Sequence, residues 1–326
     1  MSLKMKVAIL IVNYKVPGLT NACLASLRAE VEEFNDAKVV VVDNDSGDGS
    51  LEEIQSYVSE NGWNSWVDVV ASDKNGGFAY GNNYAIQHLK NSGQEAEFYW
   101  FLNPDTQAYK GSMTKLVKFM EAQPKVGITG SSILNDDGSL WPICFKFPGI
   151  LSEFERGVRL GLVTKLLSRW KVPQEMAQVQ AQVDWLPGAS FMIRDKVFND
   201  IGLMDDKYFL YYEETDFCLN AARAGWQCWY VPESQIMHIA GASTGVVDQK
   251  VAKKPLPQYM FDSRRRYFSK NHGAFYAGLA DLSWLLAHGL WIIRRTITLK
   301  QNEDPANLFF DSLKNAVFVR FFSGKK

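Results

Sequence analysis

Residues 99–106 read YWFLNPDT. The first four, Tyr99 to Leu102, form the aromatic, apolar run that a buried strand needs, and the run stops at Asn103-Pro104-Asp105-Thr106. Two readings compete for Asp105. Asn, Pro and Asp all favour turns, whereas the carboxyl ends of parallel strands are where open α/β sheets bind ligands and metals. The choice depends on whether the surrounding chain builds such a sheet.

Working outward, strand and helix patterns alternate. Residues 7–13 (VAILIVN) and 38–42 (KVVVV, ending at Asp43) are strand-like, and 66–71, 98–102 and 126–131 continue the series. Between them, Leu19, Cys23, Leu27, Val31 and Phe34 recur every three or four residues, and residues 51–60, 81–89 and 113–122 are also helical in pattern. Such alternation predicts a parallel α/β sheet. Further on, residues 184–194 (DWLPGASFMIR) read as a strand kinked at Pro187-Gly188, and 227–231 as another strand. Residues 213–224 read as a helix ended by Gly225, a residue type that favours helix C-termini.

The 326 residues are 47% hydrophobic and 22% charged, which fits a globular protein with a sizeable core. No secretory signal precedes Val7, and Cys23, Cys144, Cys218 and Cys228 lack CxxC spacing. The expectation is a cytoplasmic protein with buried free thiols. The net charge of −1 conceals an asymmetry, because residues 250–326 carry fourteen Lys/Arg and five Asp/Glu. That end is suited to an anionic surface. No nucleic-acid reading module accompanies it, so peripheral contact with an anionic membrane is the candidate. Within residues 274–293, Phe275, Leu279, Leu282, Leu286, Leu290 and Ile293 form a helical stripe, interrupted by Asp281 and His288 and flanked by basic residues. It fits packing against the rest of the chain or an interfacial helix on a membrane.

Two nucleotide motifs are excluded. No GxGxxG follows residues 7–13, and the segment from Gly76 to Asn83 has P-loop glycine spacing without the Lys. What remains is an ordered set: Asn13-Tyr14; Asp43-Asn44-Asp45-Ser46-Gly47; Asn75-Gly76-Gly77-Phe78 with Asn82; Asn103-Pro104-Asp105; Trp185-Leu186-Pro187-Gly188; Tyr211-Tyr212-Glu213-Glu214-Thr215-Asp216; His238; and Gly241-Ala242-Ser243-Thr244. In this order the set resembles the family-2 inverting glycosyltransferases, and most of all their rhamnosyltransferase-like branch.

That resemblance implies a GT-A fold, a mixed, mainly parallel sheet flanked by helices. The catalytic domain would span residues 1–246, and 247–326 would form a basic, mostly helical region. It implies transfer of a sugar, with inversion, from a nucleotide-diphosphate donor to a saccharide or lipid-linked saccharide acceptor in cell-surface polysaccharide synthesis. Asn13, Tyr14, Asp43, Asn44, Asn75, Gly76, Gly77, Phe78, Asn82 and Asn103 would hold the nucleotide. Asp105 and His238 would hold a divalent cation, Mg2+ or Mn2+; Asn103 stands where the family's DxD motif has its first Asp, leaving one firm carboxylate ligand. Glu214 would be the base, with Glu213 and Asp216 in support, and Trp185, Pro187, Gly188, Tyr211 and Tyr212 would line the sugar pocket. The residues alone leave dTDP-rhamnose and UDP-sugar donors both open. They also leave open a sugar-1-phosphate nucleotidyltransferase, a non-catalytic binding protein, and the oligomeric state, a homodimer included.

Overall fold

The computed structural model describes residues 3–176, 179–239 and 254–322. Residues 241–244 and the expected 246/247 boundary lie outside them. The described residues form two compact units. One takes in the chain up to Cys144, then Glu175–Phe209 and the chain from Glu213. The other takes in Phe145–Gln174 and Leu210–Tyr212 together with the C-terminal helices.

The first unit is a mixed sheet flanked by helices. At one side β1 (Leu3–Asn13), β2 (Ala37–Asp43), β3 (Val67–Ala71) and β4 (Gln94–Leu102) run parallel in the order β3-β2-β1-β4. Beyond β4 the order continues through β8 (Ser190–Arg194), β6 (Val126–Leu134) and β9 (Gln227–His238). β8 is antiparallel to both its neighbours, and β6 and β9 are parallel. The short β5 (Thr106–Ala108) and β7 (Ala181–Val183) both pair antiparallel with β9. Val7, Ile9, Val40, Tyr99, Trp100 and Phe101 are completely buried. A sheet covered on both faces requires such continuous apolar runs rather than alternation.

Helices α1 (Pro17–Phe34), α2 (Ser50–Glu60), α3 (Gly77–Asn91) and α4 (Ser112–Ala122) fill the crossovers. Pro17 opens α1 at a position where its missing N–H costs nothing. α4 is held from outside its own sequence: the buried Glu30 carboxylate accepts the N–H groups of Gly111 and Met113 at its start. In chain order α7 (Asp195–Ile201) and α8 (Glu213–Arg223) complete the unit. Gly225 follows α8 with φ +90°, the left-handed geometry a helix stop demands. All four cysteines are buried.

The second unit is helical. It comprises α5 (Ile150–Val158), α6 (Gly161–Leu166), α9 (Gln258–His272), α10 (Ala274–Ile297), α11 (Leu308–Asn315) and α12 (Val317–Phe322). Its inward residues on α10 include Ala277, Ala280, Trp284, Leu285 and Ala287. Asp281 and His288, which break the apolar run in the sequence, are also inward. Asp281 pairs with Arg264 and accepts the Val317 N–H at 2.7 Å. Arg264 in turn meets Glu153 at 2.8 Å, and Arg156 completes that network. The six apolar positions of the stripe point the other way, with Phe275 82% and Leu286 58% exposed.

Candidate active site

The carboxyl ends of β1 and β2 lie side by side, with Asn13 in register with Asp43. The Asn13 amide donates to Asp43 Oδ1 at 2.7 Å. Ser46 donates to the same carboxylate twice, from its backbone N–H at 3.0 Å and its hydroxyl at 2.6 Å. Asp43 is therefore buried but compensated, and its loop is fixed before any ligand arrives. Tyr14, the next residue after β1, stays 40% exposed and presents its ring at the same strand edge. Lys15 Nζ sits 5.2 Å from that ring.

Asn44 ties this edge to the glycine loop. Its side-chain N–H donates to Asn75 Oδ1 at 3.1 Å and to the Gly77 carbonyl at 3.2 Å. Ser72 donates to Asn44 Oδ1 from the other side. Gly77 has φ +87°, and a Cβ there would lie 1.8 Å from the Phe209 carbonyl oxygen. That oxygen accepts the Phe78 N–H at 3.2 Å. Only glycine permits this approach. Phe78 then reaches Gly188, where an added Cβ would stand 2.5 Å from its ring and 3.0 Å from Glu214 Oε1.

The segment around Gly188 links a carboxylate to the NPDT turn. Gly188 N–H donates to Glu214 Oε1 at 3.0 Å, and Asn103 N–H donates to the adjacent Ala189 carbonyl at 3.3 Å. Glu214 lies in the first turn of α8, where partial positive charge favours an anion. Burial nevertheless dominates and raises its pKa, against the lowering effect of the backbone donors. Its neighbours are differently employed. Asp216 accepts from Tyr208 Oη at 3.1 Å and from Asn220 at 3.3 Å, and Glu213 is buried.

Asn103-Pro104-Asp105-Thr106 is indeed a turn, closed by Thr106 N–H to the Asn103 carbonyl at 3.2 Å. It is also a site. Thr106 pairs with His238 across β5 and β9, which brings the His238 Nε2 to 3.1 Å from Asp105 Oδ1. Asp105 is 2% exposed. With the proton on Nε2, the buried Nδ1 of His238 presents a lone pair that no hydrogen bond uses. Among the described residues no cluster of three or more His, Cys, Asp or Glu forms a cage. A cation shared by Asp105 and His238 would have to take the place of the proton on Nε2, and would draw its remaining ligands from diphosphate oxygens and water. Beneath the turn, Cys23 lies 3.6 Å from Thr106 Oγ1, and burial pushes its thiol up to about 12, which keeps it unreactive.

The structure thus connects Asn13, Asp43, Asn44, Asn75, Gly77, Phe78, Gly188, Glu214, Asn103, Asp105 and His238 through direct contacts at one edge of the sheet. Gly76 precedes α3 as its cap, and Asn82 turns back to the Phe78 carbonyl at 2.9 Å. Trp185 and Pro187 are partly buried in the loop before β8. Tyr211 and Tyr212 belong to the second unit, stacking on Tyr259 and packing against Tyr267. Sequence reasoning missed Ser46, Ser72 and Trp141, whose ring centre is 5.1 Å from that of His238. Only Ser46 carried a signal, as the end of an Asx-type turn.

A mixed, mainly parallel sheet flanked by helices is the fold of the α/β glycosyltransferases of the GT-A type. The family model for glycosyl transferase family 2 matches residues 8–201, and the chain belongs to that family. It is 26% identical over 293 residues to the N-acetylglucosaminyl-diphospho-decaprenol L-rhamnosyltransferase of Mycobacterium tuberculosis, covering 86% of each chain. It is 27% identical to the rhamnosyltransferase WbbL of Escherichia coli, over 72% of this chain and 83% of that one. It is 24% identical to the dTDP-rhamnosyl transferase RfbF of Shigella flexneri, over 87% and 86%. Among solved structures it is similar to GalNAc-T7 with UDP, GalNAc and Mn2+, at TM-score 0.59 and 14% identity, covering 98% of this chain but 58% of that one. It is also similar to the mannosyltransferase PcManGT of Pyrobaculum calidifontis with GDP-Man and Mn2+, at TM-score 0.57 and 13% identity, covering 100% and 89%. At such identities the two structures speak for the fold.

Proposed function

We propose that this glycosyltransferase moves rhamnose from dTDP-rhamnose to a lipid-linked saccharide, with inversion, at the cytoplasmic face of a membrane. The names of the rhamnosyltransferase relatives support the sugar, and that of the Mycobacterium tuberculosis relative supports a lipid-diphosphate acceptor. The observation that carries the chemistry is the contact chain from Asp105 through Asn103 and Ala189 to Gly188 and Glu214. It ties a candidate diphosphate-binding turn to a candidate base in one unit.

Tyr14 offers a face for base stacking, and the Asn44–Asn75–Gly77 loop lets backbone approach the nucleotide. Asp105 and His238 would hold a divalent cation, which supplies charge neutralisation for the leaving diphosphate. Glu214 takes the proton of the acceptor hydroxyl as its oxygen bonds to the anomeric carbon, while the bond from that carbon to the diphosphate oxygen breaks. Burial raises its pKa, which makes the carboxylate a stronger base than an exposed one.

The test offers purified protein dTDP-rhamnose or UDP-sugars with a synthetic lipid-diphosphate N-acetylglucosamine acceptor. Release of dTDP with an inverted linkage supports the reading. Transfer from a UDP-sugar alone would replace the donor, and hydrolysis without transfer would remove the acceptor class.

A further inference from the structure

From the exposed face of α10 we infer that the second unit docks on the surface of an anionic lipid bilayer, with α10 lying flat in the interface. The six stripe positions and Ile297 are all exposed, at spacings of three and four that keep them on one side of the helix. A large apolar face left open on a soluble protein marks an interaction site. Charge selects the occupant. Residues 145–174 and 250–326, which supply the helices of this unit, carry twenty Lys/Arg and seven Asp/Glu. The only acidic residue of α10, Asp281, is buried and paired with Arg264, so its outward face carries no negative charge. In the same unit Leu162, Leu166 and Trp170 are exposed among Lys165, Arg169 and Lys171. Apolar residues interleaved with cations are what an anionic interface binds.

α10 is long and apolar enough to cross a bilayer by length and composition. Spanning would pull Asp281 and His288 from their buried partners into hydrocarbon, at high cost. The flat orientation keeps those pairs intact. The inference deepens the membrane-held acceptor reading and rests on it for its purpose, but its test needs neither donor nor acceptor.

The experiment is co-sedimentation of the full chain with phosphatidylcholine vesicles, with and without phosphatidylglycerol. It compares the native protein with Leu282→Asp/Leu286→Asp/Leu290→Asp and with Lys165→Glu/Arg169→Glu. Light scattering and circular dichroism run alongside. The expected result is binding to the phosphatidylglycerol vesicles that weakens about tenfold or more in either variant, each still folded and unchanged in mass. Binding by the native chain that neither variant weakens would overturn the inference. So would a native dimer that the stripe variant dissociates without any vesicle binding, because the face would then be a protein interface. Loss of vesicle binding with transferase activity on a soluble acceptor intact would separate this inference from the proposed chemistry.

Discussion

Glu214→Gln is the substitution that most sharply separates chemistry from architecture. Gln keeps the length of the side chain and an oxygen that can accept the Gly188 N–H now bonded at 3.0 Å. What it removes is the ability to take a proton. General-base catalysis contributes about 10²–10⁴ in rate, so transfer should fall by at least about 100-fold, a barrier increase of about 3 kcal/mol or more. Stability should move the other way. Burial raises the Glu214 pKa, so the folded state holds that proton more tightly than the unfolded chain does. The carboxylate therefore costs stability as pH rises through its folded pKa, and costs nothing once protonated at low pH. The Gln variant should therefore melt at a higher temperature than the native protein near neutral pH, and the difference should vanish in acid. The assays are dTDP release, nucleotide titration and thermal melting from pH 4 to 8. Activity near that of the native enzyme would refute Glu214 as base. A Tm lowered by several degrees at neutral pH would refute the account of its buried charge.

Three further outcomes follow from particular contacts. Gly77→Ala places a methyl 1.8 Å from the Phe209 carbonyl oxygen in a left-handed conformation, so nucleotide affinity should drop about tenfold or more while far-UV circular dichroism is retained. Glu30→Leu strips the N–H groups of Gly111 and Met113 of their acceptor and should lower stability by about 2 kcal/mol, read by urea denaturation. Asp281→Ala removes one of the two carboxylates on Arg264, leaving Glu153, and takes away the acceptor of the Val317 N–H; a loss of about 2 kcal/mol in the helical unit should appear in chemical denaturation, with nucleotide binding by the first unit unaffected.

The central strands were legible because covered strands must be apolar throughout, and VAILIVN, KVVVV and FYWFL have no other economical use. The end of that logic is visible at residues 184–194, which read as one kinked strand. Only Ser190–Arg194 is strand, because Pro187 has no N–H for a ladder and Gly188 gives its own to Glu214. Three-residue β5 leaves almost no pattern, yet it is what carries Asp105 to His238.

α10 teaches a different limit. Periodicity identifies an apolar face but not which way it points. Here small alanines and a paired aspartate face inward, because Arg264, itself bound to Glu153 from far along the chain, awaits the charge. Residues 145–174 joined the helical unit for the same reason: α5 packs on α10, and no local signal announces a partner more than a hundred residues away. In YWFLNPDT the turn from Asn103 to Thr106 sets Asp105 against His238.

The most direct test of the central claim is calorimetric titration of the protein with dTDP and with UDP, each with and without Mn2+, beside Asp105→Asn. The account predicts binding that strengthens with the metal in the native chain, and loses that dependence in the variant while the fold persists. Equal, metal-independent binding by both proteins, or binding by neither, would contradict the assignment of the turn as the diphosphate site.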